Sequence, residues 1–365
     1  MPAPLIPIDE QQNLLVDAFA DAFAQPRSPV EALALAQSLG LDGVLRPEAQ
    51  DGLGLGAFEA GLLAFEAGRL DAQLPLKEWL WSVAAAALAG GAALPAPGRS
   101  VTCTLPVAPP RIAGPATLRF FAVPLADCAD VLTCVVRTGE RPDARGIRVH
   151  YLPREGGAWR VLGRTSLVSG TSAFDIEVDA AALSEPVEAA GFALRSSDAT
   201  WQRLEALWLI LAGAELAGAC EGGRDIGVEY LKTRQQFGRP IGAFQLLRKL
   251  AVDGWMAAED LLLAWQRAAL CWDRGATDAW MAAQACAAAA PAAREALESV
   301  IQMHGAMGFT AELGLHHRLN RAVLCEIGFG PRAPRLAAIT QAWREAGGEE
   351  FAAVPANFLT PAHAA

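Results

Sequence analysis

The sequence predicts a mostly helical α+β fold in three parts: an N-terminal helical domain over 1–92, a middle β-barrel or sheet domain over 93–190, and a C-terminal four-helix bundle over 191–350. A tail follows, 351–365. Three observations predict it. Apolar residues recur at helical spacing up to about residue 90 and again after 198. Between those stretches, short β-branched and aromatic runs alternate with turn residues. At 53% hydrophobic over 365 residues, the chain has enough apolar surface to bury a core shared by several layers.

In the first part the helical period runs through Leu14, Leu15, Ala18 and Phe19, and again through Leu62, Leu63, Phe65 and Leu70. Between these helices lies DGLGLGAFEAG, whose Gly52, Gly54 and Gly56 suggest a loop cradling phosphate. Such a loop should follow a strand and open the first helix of a βαβ unit. LRPEAQ precedes it here, which argues against a dinucleotide fingerprint. The linker GGAALPAPGRS leads into VTCTLPV, LRFFAVPL, DVLTCVV, IRVHYL and FDIEV. Turns at Gly114-Pro115, Pro142-Asp143 and Glu155-Gly156-Gly157 separate these runs, as in an antiparallel sheet or small barrel. The cluster Ser196-Ser197-Asp198 offers an N-cap, and helices are expected over 199–232, 243–273, 276–304 and 333–346. Four helices of that length with short connections make a bundle. The tryptophans Trp201, Trp208, Trp255, Trp265, Trp272 and Trp280 read as core and interface packing.

Composition narrows the function. Thirty basic against 40 acidic residues, net charge −10, argue against a nucleic-acid binder. Seven cysteines without a C-x-x-C, and five histidines that include His316-His317 without metal-ligand spacing, indicate neither a disulfide frame nor a metal site. The expected compartment is a reducing cytoplasm. The N-terminus MPAPLIPIDEQQNLL lacks a signal pattern, and no clean apolar run reaches membrane-spanning length, so no membrane association is expected.

One stretch breaks the regular pattern. Residues 230–245, YLKTRQQFGRPIGAFQ, put a polar, glycine-punctuated segment between greasy helices, placed for contact rather than packing. The segment matches Y-x-x-x-R-x-x-F-G-x-x-I-x-x-F-Q, and 301–310 reads IQMHGAMGFT. With the weaker RPEAQDGLGLG and the α-β-α domain order, these motifs resemble those of the acyl-CoA dehydrogenases.

The resemblance implies a flavoenzyme fold and FAD as cofactor. In the family, the first motif's arginine and glutamine and the second motif's glutamine and glycines clasp the ADP half of FAD held mainly by the neighbouring subunit. By matching position these are Arg234, Gln245, Gln302, Gly305 and Ala306, with Phe237 on the adenosine side and Thr104 surviving from a flavin-ring segment. A guanidinium pairs with pyrophosphate oxygens as a fork, and a glycine lets the backbone approach closely.

The family also abstracts an α proton of an acyl-CoA with a carboxylate. Aligned on Arg321-Ala322 and Gly330, in the stretch LNRAVLCEIGFGPRAPR, that position falls on Phe329. The alternative base position, near the start of the first bundle helix, falls on Trp208. Glu326 and Glu205 are the nearest carboxylates and the only catalytic candidates. The flavin-ring segments are depleted too: CTLPVAPPR keeps Thr104 and Pro106, and FFAVPLADCADVL has Phe121 or Ala122 and Pro124 in the matching places.

Retained clamp and missing base imply a specialised subunit, as in the α2β2 heterotetramers of two unlike acyl-CoA dehydrogenase chains in bacterial steroid and bile-acid side-chain degradation. The expected partners are a second, unlike chain carrying the base, an acyl-CoA substrate and an electron-transfer flavoprotein. A self-sufficient homotetramer with Glu205 or Glu326 as relocated base, and a flavin-free structural subunit, remain open.

Overall fold

The first two helices begin where local chemistry starts them. In the computed structural model, which describes residues 6–89, 99–104, 111–114, 116–138, 146–165, 172–183, 191–195, 198–276, 278–330 and 332–345, α1 (Glu10–Phe23) opens on a reciprocal capping box between Asp9 and Gln12. Helix α2 (Pro29–Ser38) opens on the same device, Ser28 with Glu31, with proline at its first position. Helices α3 (Ala57–Arg69) and α4 (Leu76–Leu88) are buried over almost their whole circumference.

The β-region consists of two packed four-stranded sheets rather than one sheet or a closed barrel. The first has the order β1 (Val101–Cys103), β4 (Val131–Thr138), β5 (Gly146–Pro153), β8 (Gly191–Arg195). The second has β2 (Arg111–Gly114), β3 (Thr117–Pro124), β7 (Ala173–Asp179), β6 (Trp159–Arg164). The pairing of β1 with β4 is parallel, a departure from the antiparallel expectation; the other pairs are antiparallel. Phe120, Val123, Leu132, Cys134, Ile176 and Val178 fill the space between the sheets. On its other face the first sheet joins the helical core through Val135, Ile147, Val149 and Tyr151, whose hydroxyl donates to the Ser82 carbonyl at 3.0 Å. Burial on both faces explains why DVLTCVV reads as an almost continuous apolar run.

Helix α5 (Ala199–Thr233), about 52 Å long at 1.5 Å per residue, is the central helix of the bundle and also packs against α3 and α4. Around it lie α6 (Gln245–Asp273), α7 (Ala279–Met303) and α8 (Leu315–Phe329), with α9 (Arg332–Glu345) against α7. The fourth bundle helix is therefore α8, and the run expected at 333–346 forms the peripheral α9. Asp198 caps α5 without a side-chain bond to it; its carboxylate accepts instead from the Arg195 amide at 2.7 Å. Residues 90–98 of the linker, Pro115, Pro142-Asp143, Ser196-Ser197, most of CTLPVAPPR and the tail lie outside the described residues.

Helices α3 and α5 cross almost in backbone contact. A Cβ on Gly218 would sit 1.8 Å from the Phe65 carbonyl oxygen, and one on Gly68 2.0 Å from that of Glu215. The glycine-rich loop before α3 is tied down by an internal anion: the Asp273 carboxylate accepts from the Ala57 and Phe58 amides at 2.6 and 3.0 Å. The end of α6 thus supplies the negative charge that the helix N-terminus attracts, so the phosphate-loop likeness of GLGLG has a structural origin.

Candidate functional site

Arg234 ends α5, and the chain turns back through a two-stranded ribbon, β9 (Gln235–Gln236) and β10 (Arg239–Pro240). Phe237 and Gly238 form its turn with φ of +54° and +77°. Two positive φ values are what a tight hairpin of primed type needs, which explains the glycine. Phe237 accepts the left-handed conformation and stands 91% exposed, in edge contact with Phe244, ring centroids 6.0 Å apart. Arg239 stacks over Phe244 at 4.4 Å. The Arg234 carbonyl accepts from the Ile241 amide at 2.8 Å, which fixes the ribbon to the helix end.

The second motif lies beside it. Leu231 and Ile241 from the first motif share a small apolar cluster with Val300, Met303 and Leu315. Gln302 is in the last turn of α7, and Gly305 follows at φ +57° with nothing within 4 Å of where a Cβ would stand. Arg234, Phe237, Gln245, Gln302, Gly305 and Ala306 are all exposed. All six lie at one end of the bundle on an outward-facing surface. Lys232, Arg239, Arg248 and Lys249 are exposed there as well. An exposed guanidinium beside backbone that can be approached closely suits a phosphate-bearing ligand bridged to another chain. Thr104 is elsewhere: it is fully buried in the first sheet, where its hydroxyl accepts from the Val135 amide at 2.9 Å.

The two positions that the resemblance assigns to a base converge in space, and both are closed. Trp208 donates its indole N–H to the Gly328 carbonyl at 3.0 Å, next to Phe329, and the two side chains are 1% and 2% exposed. Trp81 packs edge-on against Trp208 and Trp201, with centroids 6.1 and 6.5 Å apart. Glu326 is a helical residue of α8, not part of a slipped loop, and accepts from Arg294 at 3.2 Å. Glu205 accepts from the Trp280 indole at 3.0 Å.

Sequence reading missed the ion cluster below this aromatic plug. Glu215 pairs with Lys77 at 2.8 Å and with Arg321, and Lys77 also lies 2.7 Å from Glu78. Burial pushes the Glu78 carboxyl up. It acts on Glu215 in the same direction, but there the attraction of Lys77 and Arg321 prevails and holds the carboxyl below its ordinary value. The signal was present in the sequence: charges inside otherwise apolar helical stretches, PLKEWLW and LILAGAELAGA. The cluster borders a cavity of about 60 Å³ beside Pro124. That is room for a few waters, not for a tricyclic ring; a wider cavity of about 430 Å³ adjoins it and shares Gln73, Ser172 and His317.

The family model for the acyl-CoA dehydrogenase C-terminal domain matches residues 209–343. The chain is 30% identical over 190 residues to 3-sulfinopropanoyl-CoA desulfinase of Paraburkholderia xenovorans, spanning 52% of this chain and 46% of that protein. It spans less than half the length of the curated relatives it first matches. Among solved structures, a variant of the Tcur3481-Tcur3483 steroid ACAD superposes with a TM-score of 0.71 at 21% identity, covering 93% of this chain and 99% of that one. The ChsE4-ChsE5 complex of Mycobacterium tuberculosis does so with 0.69 at 21%, covering 96% and 99%. These likenesses show a shared fold.

Proposed function

We propose a function from one premise: this chain belongs to the acyl-CoA dehydrogenase family. It serves as the clamp-bearing subunit of a heteromeric FAD-dependent acyl-CoA dehydrogenase that introduces an α,β double bond into a bulky acyl-CoA, such as a steroid side-chain thioester. The second, unlike chain supplies the base and the flavin-ring pocket, most simply as an α2β2 assembly, and an electron-transfer flavoprotein takes the electrons. The observation that carries the reading is the pairing of an intact exposed clamp with a closed base position, Trp208 against Gly328-Phe329. The likeness in fold to a steroid ACAD and to a two-chain complex supports the choice of substrate class and assembly.

FAD, when bound, would supply the acceptor for the hydride that leaves the acyl β-carbon. This chain's own residues hold the cofactor. Arg234 would pair with the pyrophosphate, Gln245 and Gln302 would donate and accept beside it, Gly305 and Ala306 would admit the phosphates to the backbone, and Phe237 would cover the adenosine. No proton passes through this chain, because the positions for it are apolar and sealed from water.

The test is to purify the chain alone and with its co-purifying partner, then measure flavin absorbance per subunit and native mass. One FAD per unlike pair, found only in the co-purified sample, is expected, and Arg234→Ala should strip it. A yellow homotetramer carrying one FAD per chain overturns the reading in favour of a self-sufficient enzyme. A colourless complex favours a flavin-free structural subunit.

A further inference from the structure

The two halves of the clamp come from sequence segments some seventy residues apart, and one contact joins them ring to ring. Tyr230 lies in the last turn of α5, one turn before Arg234, and its carbonyl accepts the Arg234 amide at 2.9 Å. His304 lies between Gln302 and Gly305. The two rings stack at 4.3 Å between centroids with planes 27° apart. His304 is 3% exposed, although Gln302, Gly305 and Ala306 around it are exposed. Its Nδ1 lies 2.8 Å from the Val300 carbonyl one turn earlier. A carbonyl only accepts, so Nδ1 carries the proton and the ring cannot rotate without losing that bond. Its Nε2 is buried and has no partner among the described residues. A ring present only to fill space would be better as phenyl, which has no buried acceptor to leave bare.

We infer that the Tyr230–His304 stack is a positioning device, with His304 locked by Val300 so that the Arg234 ribbon and the Gly305 loop keep one fixed separation. His304 touches no ligand and acts through the residues on either side of it. The inference rests on the clamp reading above, but its first test does not depend on any cofactor.

In the full-length chain, hydrogen exchange is read at three places. One is the junction amides of Arg234 and Ile241, another is the loop 305–310, and the third is the middle of α7 as an internal control. His304→Ala should speed exchange about tenfold at both the junction and the loop, the size expected for losing one stacked ring pair and one hydrogen bond, and leave the α7 control unchanged. Tyr230→Leu should give the same pattern from the other side, and His304→Phe, which keeps a ring on Tyr230 but loses the Val300 bond, should also speed exchange at both places; wild-type exchange in His304→Phe would overturn the lock. A change confined to 305–310 overturns the inference, as does a change that also reaches the middle of α7, since that marks general loss of fold. In the complex with its partner, His304→Ala should weaken FAD retention about tenfold, a size taken from orienting residues. If Arg234→Ala strips FAD and His304→Ala leaves it within twofold, the positioning inference fails alone. If Arg234→Ala leaves FAD in place, the cofactor reading fails while hydrogen exchange still decides the role of the stack.

Discussion

Trp208 and Phe329 close this part of the interior with side chains that cannot act as a base, and their packing sets a measurable cost. Trp208→Ala removes a fully buried indole, its edge contact with Trp81 and its bond to Gly328, and is expected to lower the unfolding free energy by about 3–5 kcal/mol in urea denaturation. Retained flavin stoichiometry in whatever folded complex survives would separate a packing role from a role in the clamp. Glu177 gives the pH prediction. Hydrogen bonds from Arg160 and Arg119 hold its carboxyl below the ordinary value. A depressed carboxyl stabilises the fold above its unfolded pKa, and that contribution is lost as pH falls through the folded value. Glu177→Gln should therefore lower stability slightly at neutral pH, where that contribution is fully present, flatten the acid limb of a stability profile below about pH 4.5, where the unfolded carboxyl titrates, and converge with wild type at lower pH; an unaltered limb would count against the assignment. At this scale the two motif segments were legible because each is local in sequence. The convergence of Trp208 with Gly328 was not, because it joins residues 120 apart and depends on how two helices pack.

Among the elements, the crossing of α3 on α5 is the least tolerant. Gly218→Ala would drive a Cβ into the Phe65 carbonyl and should destabilise the chain by about 1–3 kcal/mol as the helices part, read as a shift in the urea midpoint at unchanged slope. An unchanged midpoint would mean that the crossing relaxes freely. The ends of α5, α6 and α7 were readable to within three residues from apolar period and from the break at 234–244. Helix α8 was not, and the reason is physical. Its arginines point inward: Arg318 donates to the Gly68 carbonyl at 2.8 Å, and Arg321 to the Ala72 carbonyl at 2.7 Å and to Glu215. A helix that buries its charges reads as polar loop to any rule that equates polar with exposed. The glycine-rich loop misleads in the opposite direction, since the anion it attracts is Asp273 of the same chain.

The molecule as a whole keeps the residues proposed to hold FAD on an outer end and fills its centre with tryptophan, alanine and a buried ion cluster. The three-part order was legible from composition shifts alone, whereas the exposure of every clamp residue required the packed structure. That outer end has one further consequence. The stretch 232–249 carries five cations, Lys232, Arg234, Arg239, Arg248 and Lys249, and no acid; subtracting its +5 from the net −10 leaves −15 on the rest of the chain. Such a polarised body turns in the field of an approaching anion or acidic surface before contact is made, and so aims the cationic end first. Screening shortens that reach to about 10 Å at 0.1 M salt. Assembly with an acidic partner surface should accordingly be fast and strongly salt-dependent in its association rate, with dissociation changing little, as stopped-flow mixing at graded ionic strength would reveal. An association rate indifferent to salt would show that encounter is guided by shape alone.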